Sequence, residues 1–402
     1  MAFFRNDAVN RINLHFGIES FAGGMGGVFT LAFLLHAGVS VALTLATFFA
    51  VIVVRFTLRP AIVPFGKRLG LKPMVIAGAL VMAAQFPLLA EVRGLDGWLV
   101  AFALAQAIGD IIYWPSYHAY FAALGDAEHR GDQIGIRGAI SAGVGIVAPL
   151  VGTWALLNLG PRAAFGLAAA IQALSAWPLL AAPNVAVPPK AASAGRGGRF
   201  GIAIFVADGG LAASFYFVWQ VALFVSLGDS LAAFGGAVAL AALVGAVAGL
   251  VLGRFVDLGH GRRATIVAYA ATAAVAVLRA FSLGTPWLAV VGNALGSLVG
   301  GLVAPAIMAP VYNLAKASAD PFRYHVASEA GWDIGCGAGC LIAAVVAALG
   351  GSLVWPLLLA LPCLVATAWL LWRYYGDHPE PIGPDLLAAT PPAYLAESHP
   401  PP

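Results

Sequence analysis

Charge is scarce in this chain. Of its 402 residues only 10% are charged, while 61% are hydrophobic. A soluble protein of this size carries about 25% charged residues, so a soluble globular domain is excluded. Cysteine is rarer still: there are three, all within apolar runs, which leaves no disulfide framework. Short alternating strands, the mark of a transmembrane β-barrel, are missing. The net charge of +3 is spread through short loops, so no nucleic-acid partner is expected. There is no His-Glu-x-x-His pattern and no phosphate-binding glycine loop, which argues against a zinc protease and an ATP-driven pump. Met1–Asn13 is polar and the run after it is long and lacks a cleavage site, so no cleavable signal is expected.

What the chain does have is apolar length. Runs long enough to span a bilayer recur throughout, and turn residues such as Pro60, Pro73, Gly160-Pro161 and Gly284-Thr285-Pro286 separate them. Twelve spans are expected, near 14–36, 38–57, 73–91, 97–124, 134–158, 162–183, 200–226, 231–252, 264–283, 286–315, 326–349 and 353–375. The fold class is therefore an all-α polytopic membrane protein with twelve transmembrane helices in two pseudo-symmetric six-helix bundles. The expected division is an N-terminal bundle over 1–183, a linker over 184–199, a C-terminal bundle over 200–376 and a Pro-rich disordered tail over 377–402.

Basic residues set the orientation. With the N-terminus in the cytoplasm, sixteen Lys and Arg, Arg59 and Arg323 among them, fall on the cytoplasmic side and only Arg93 and Arg162 outside. Arg55, Arg137 and Arg279 lie within spans near their ends. Both termini are thus expected in the cytoplasm, and the location is the plasma (inner) membrane.

The halves echo each other. Glu19-Ser-Phe-Ala-Gly-Gly near the start of helix 1 matches Asp208-Gly-Gly near the start of helix 7. Pro115-Ser-Tyr117-His118 before Arg130 matches Pro310-Val-Tyr312-Asn313 before Arg323. Repeats of this kind build transporters, with the site near the midplane where the repeats meet.

Two loops carry a family resemblance. Gly253-Arg-Phe-Val-Asp257-Leu-Gly-His-Gly261-Arg262-Arg263 resembles the glycine–aspartate–glycine–arginine loop of the major facilitator superfamily, with one extra residue. The equivalent loop after helix 2, Arg59 to Lys72, keeps the basic residues and Gly70 but has Pro64 near the place of the aspartate. In helix 5, Gly145 to Thr153 is similar to the antiporter motif of that superfamily, with Ala148 and Thr153 at usual glycine positions. The resemblance covers about 14–375. It implies secondary transport and a central cavity lined by helices 1, 4, 7 and 10. Physically, Asp257 at a helix end can accept hydrogen bonds from a neighbouring helix or from an arginine as the halves rock.

A carboxylate inside an apolar span is costly and marks function by default. Asp110, Glu19 and Asp208 are the candidates for proton coupling or substrate binding. Asp110, Trp114, Tyr117 and His118 share one face of helix 4. With Asn293 and Tyr312 of helix 10, Trp114, Tyr117 and His118 are expected to line the cavity. On helix 11, His325, Glu329, Asp333, Cys336 and Cys340 form a stripe of possible metal ligands. Flanking Gly335, Gly337 and Gly339 favour close helix packing instead, His325 is assigned to the loop, and no metal or other cofactor is expected. Arg137 has two readings: it snorkels to the cytoplasmic face or pairs with the charged turn, or it pairs with Glu329 or Asp333 as a gate across the halves. The glycine ladders 23/27, 245/249/253 and 292/296/300 read as packing faces.

The rival class is an intramembrane enzyme. Gly109-Asp110 has part of an aspartyl-protease pattern, but Ala107 replaces a needed glycine and the Tyr-Asp partner is missing. A non-transporting receptor or scaffold would have no need of buried acids. The expectation is a monomeric, non-enzymatic transporter working by alternating access, with protons, a small solute and the bilayer as partners. Proton-coupled efflux of a cationic or neutral compound comes first, proton-linked uptake of a polar nutrient second, and divalent metal export third.

Overall fold

Twelve helices follow one another with short connections in the computed structural model, which describes residues 6–125, 130–187, 196–256, 261–318 and 320–377. Within these, side chains of 130–138, 196–197, 248–256, 261–264, 304, 305, 309, 316 and 377 are outside the description. The helices are α1 (Asp7–His36), α2 (Val41–Leu69), α3 (Leu71–Ala90), α4 (Gly97–Leu124), α5 (Arg130–Asn158) and α6 (Pro161–Leu180). The second half holds α7 (Gly198–Ser226), α8 (Leu231–Val256), α9 (Gly261–Phe281), α10 (Pro286–Lys316), α11 (Pro321–Ala348) and α12 (Val354–Gly376). Ten are long and apolar enough to cross a bilayer, and the described parts of α8 and α9 are shorter apolar helices. This is a multi-pass membrane protein.

Helix starts follow ordinary capping chemistry. The carboxylate of Asp96 accepts from Leu99 N at 2.9 Å, and that of Asp320 from Arg323 N at 3.0 Å with Pro321 in the first turn. Two expected boundaries move as a result. The cap at Asp320 starts α11 five residues before the expected 326, so His325 belongs to the helix, not to the loop. Pro60, read as a break, sits in a tight turn over Arg59–Ala61 where its missing N–H costs little, and the α2 span continues to Leu69.

The two halves pack as copies. Within the first, α1 lies on α5, α2 on α4, and α3 on α4 and α6; within the second, α7 lies on α11, α8 on α10, and α9 on α10 and α12. Adding six to each helix number converts one set into the other. Between the bundles, α2 runs along α11 and α5 along α8, a pair related by the same rule.

Antiparallel alternation puts the two ends of the described residues, near Asn6 and Gly376, on one face. There Asn6 donates to the Leu124 carbonyl, Asn184 to Leu69 and Tyr120 to Pro183, at 3.1, 2.9 and 2.6 Å. Gly70 turns α2 into α3 at φ 81°, a left-handed backbone that glycine adopts freely, and Lys72 ties the turn to the Ala182 carbonyl at 2.9 Å.

The apolar interior differs between the two faces. Away from the chain ends, one continuous core runs through both bundles, with Phe29 against Phe234 at 5.9 Å and Phe48 against Phe217 at 5.0 Å. Toward the chain ends each bundle has its own core, although Phe322 and Val326 of α11 join that of the first. The halves are sealed by rings on one side and meet through polar groups on the other.

Candidate functional site

The polar meeting point is built on α2, α4 and α11. Arg55 and Arg59 stand one turn apart on α2, and Glu329 and Asp333 one turn apart on α11, so each pair shares a helix face. Arg59 reaches Asp333 through Nε at 2.9 Å and through its second nitrogen at 2.5 Å. Arg55 contacts Asp333 at 3.1 Å and, across its own bundle, Asp110 at 3.2 Å. Glu329 lies 3.9 Å from Arg55 and 3.8 Å from Arg59. All five are shielded: Arg59 is 1% exposed and the Asp333 side chain 0%. Trp332 lies over the Arg55 guanidinium at 5.2 Å.

This corrects one expectation: Arg59, counted among the cytoplasmic loop charges, is a buried ion-pair residue. Glu329 and Asp333 meet Arg55 and Arg59; their expected contact with Arg137 falls on a side chain outside the described residues. Two arginines face three carboxylates, which leaves one negative charge uncompensated when all are ionised.

The other acids sit beside this network. Glu19 is 6% exposed and feels the charge of Asp110, while its carboxylate interacts with Ser20. Asp208 hydrogen-bonds to Trp332 and feels Glu329. Trp114 hydrogen-bonds to Asp110.

Helix 4 divides its expected cavity face. Tyr117 is fully buried in the first bundle's core, stacked on Phe16 at 5.8 Å, and so is packing rather than lining. Trp114 and His118 are half-buried, stacked at 5.9 Å, and His118 Nδ1 lies 3.2 Å from the Tyr312 hydroxyl of α10. Asn293 accepts from the Trp219 indole and donates to the Ala237 carbonyl, both at 3.0 Å, so its amide ties α7, α8 and α10 together.

Several features escaped the sequence reading. His15 is fully buried on α1, 2.7 Å from the Ser175 carbonyl and 2.8 Å from the Tyr113 hydroxyl. A carbonyl only accepts, so Nδ1 carries the proton and Nε2 accepts from the tyrosine. Arg279 is 4% exposed and has no carboxylate partner among the described residues. It donates to the Gly292 and Phe215 carbonyls at 3.0 and 3.2 Å, and its guanidinium lies 4.6 Å from both the Phe215 and Trp219 rings. The Phe215 carbonyl belongs to a wide π-type turn, Ala213–Val218, inside α7.

The glycine ladders separate too. Gly245 abuts Ser297 as packing requires, and Gly292 and Gly296 make room for Arg279. Gly23 and Gly27, expected to pack, border open space, whereas Gly24 and Gly26 make the close contacts. The gating-loop candidates Gly253, Asp257, Gly261, Arg262 and Arg263 fall on side chains or backbone outside the described residues. Among the described residues no three His, Cys, Asp or Glu side chains converge as metal ligands; the acids of the α11 stripe turn to arginines.

No protein-family model and no curated protein matches this chain. Solved structures do. The human organic anion transporter MFSD10 (TETRAN) matches with a TM-score of 0.65 at 16% identity, covering 91% of this chain and 99% of that one. The two share a fold, in this chain two six-helix bundles whose helix contacts repeat from one half to the other.

Proposed function

We propose that this protein is a secondary transporter that moves a small solute by alternating access, and that the Arg55–Arg59–Asp110–Glu329–Asp333 network is both its gate and its proton-coupling site. The carrying observation is the position of the network. It joins opposite bundles on the face where their cores are separate, while rings seal the other face. Rocking the bundles apart would pull Arg55 and Arg59 from Glu329 and Asp333, and breaking a buried pair is costly unless charge is removed at the same time. One proton neutralises the excess charge of two arginines against three carboxylates. Proton binding and gate movement are then one equilibrium, as linkage requires.

The same charges favour a cationic or neutral solute. MFSD10 is an organic anion transporter, but here Arg55 and Arg59 are held by carboxylates and Arg279 by carbonyls and rings. Glu19 and Asp208 add negative charge beside the network, and the open space at Gly23 and Gly27 exposes bare α1 backbone to a solute. Efflux is preferred on the helix 5 motif. By the basic-residue asymmetry, the polar gate faces the cytoplasm and the membrane is the plasma (inner) membrane. Solute flux in proteoliposomes under an imposed pH gradient, across a panel of organic cations, neutral compounds and anions, tests this reading. Flux indifferent to the gradient for every compound would overturn the coupling.

A further inference from the structure

A second contact joins the bundles on the gated face, one turn nearer the chain ends, and it contains no arginine. His118 comes from α4 of the first bundle, and Tyr312 and His325 come from α10 and α11 of the second. The His118 and His325 rings stack at 5.8 Å with 27° between their planes. Tyr312 lies 3.2 Å from His118 Nδ1 through its hydroxyl and 5.9 Å from the His325 ring. His325 is 2% exposed, and its Nε2 is buried with no hydrogen-bond partner. Among the described residues, the titratable groups against the pair are Tyr117 on α4, Tyr312 on α10 and Tyr324 on α11, with Glu329 one turn beyond His325. Among the described residues no carboxylate lies within ion-pair distance of His325.

We propose that His118, Tyr312 and His325 form a pH-responsive latch, in which protonation of the two facing imidazoles drives α4 away from α10 and α11. Two neutral imidazoles stack as ordinary rings, and Tyr312 bridges them. Each proton comes from the water at the chain-end face and adds a full positive charge to a ring nitrogen. Histidine is the side chain whose charge changes in the physiological range, and two imidazolium rings at this separation repel. The buried Nε2 of His325 has no bond to lose on taking a proton, and gains a hydrated one once the face opens. The latch therefore biases the gate open at acid pH. It acts in the same direction as protonation of the carboxylates but through different groups. The inference rests on the alternating-access reading, because a latch needs two bundles that separate.

Spin labels at Ala123, in the last turn of α4, and at Ala317, just past α10, report the separation in the full chain in lipid nanodiscs. On acidification from pH 8 to pH 5 the long-distance population should grow about threefold or more. His325→Phe keeps the ring stack and removes the charge, so it should suppress most of that growth. His325→Lys fixes the charge and should populate the long distance already at pH 8. Asp110→Asn should leave the histidine-dependent step in place. A His325→Phe profile that overlays the wild type would overturn the latch. If His325→Phe does not fold, His118→Phe on the opposite bundle provides the same comparison. A single distance under all pH values, and also in Arg59→Ala, would sink the alternating-access reading itself. Two populations that ignore both histidine substitutions would remove only the latch.

Discussion

Removing Arg59 should damage the closed gate far more than removing Asp333, although the two share one contact. Arg59→Ala leaves Arg55 alone against the buried Asp110 and Asp333 and the half-buried Glu329. Removing one partner of such a pair costs about 3–5 kcal/mol because the remaining charge is stranded. Asp333→Asn instead leaves two arginines against two carboxylates, and the amide oxygen still accepts from Arg59. A lost charge-assisted hydrogen bond of this kind costs about 1.5–3 kcal/mol before the gain in charge balance is credited. The difference, about 2 kcal/mol, is roughly a thirtyfold ratio in the closed-to-open equilibrium. Paired labels at Ala123 and Ala317 read that ratio directly. The Arg59→Ala defect should also shrink as pH falls, because stranded carboxylates can take protons and stranded arginines cannot. Asp333→Asn opening the gate as far as Arg59→Ala at neutral pH would refute the charge accounting.

Other outcomes follow from the packing and the loops. A Cβ at Gly335 would overlap the Val206 carbonyl where α7 and α11 touch, and backbone cannot yield cheaply, so Gly335→Ala should lower thermal stability by about 1–3 kcal/mol. Arg279→Lys keeps the charge but loses the planar contact with Phe215 and Trp219 and one of two carbonyl bonds, so a melting experiment should find it clearly less stable than wild type. At the far face Arg162 grips Glu91 at 2.6 and 2.8 Å, and this hydrogen bonding holds the Glu91 carboxyl below its ordinary range. A lowered folded-state value stabilises above the unfolded value and is lost as pH falls through the folded one. Both side chains reach solvent, so Arg162→Ala should move the Glu91 titration upward in carbon NMR while barely changing the melting temperature.

Much of the fold was legible because span length and turn residues are local signals. The boundaries at Gly97, Ser226, Leu231 and Pro286 are set by residues within a few positions of them, and the six-helix repeat appears in short motifs. The exceptions are informative. Pro60 read as a stop because proline usually is one, yet a tight turn absorbed it and carried Arg59 into the protein. The site was legible only by half. Asp110, Glu329 and Asp333 declared themselves as carboxylates in apolar runs. Their partners did not: Arg55 lies 55 residues from Asp110, and Arg59 lies 274 from Asp333. No periodicity carries information across that distance. Tyr117 was misplaced because sharing a helix face with Asp110 does not say which neighbour that face meets.

The most direct measurement is proton–solute coupling in Asp110→Asn. Asp110 is the member of the network held by Arg55 from within its own bundle, so the asparagine keeps the inter-bundle pairs and removes the excess carboxylate. Wild-type proteoliposomes under an inward or outward pH gradient should drive solute beyond equilibration. Asp110→Asn should still exchange solute but should stop at equilibration, with no proton movement accompanying it. Gradient-driven accumulation that survives unchanged in Asp110→Asn would contradict the account.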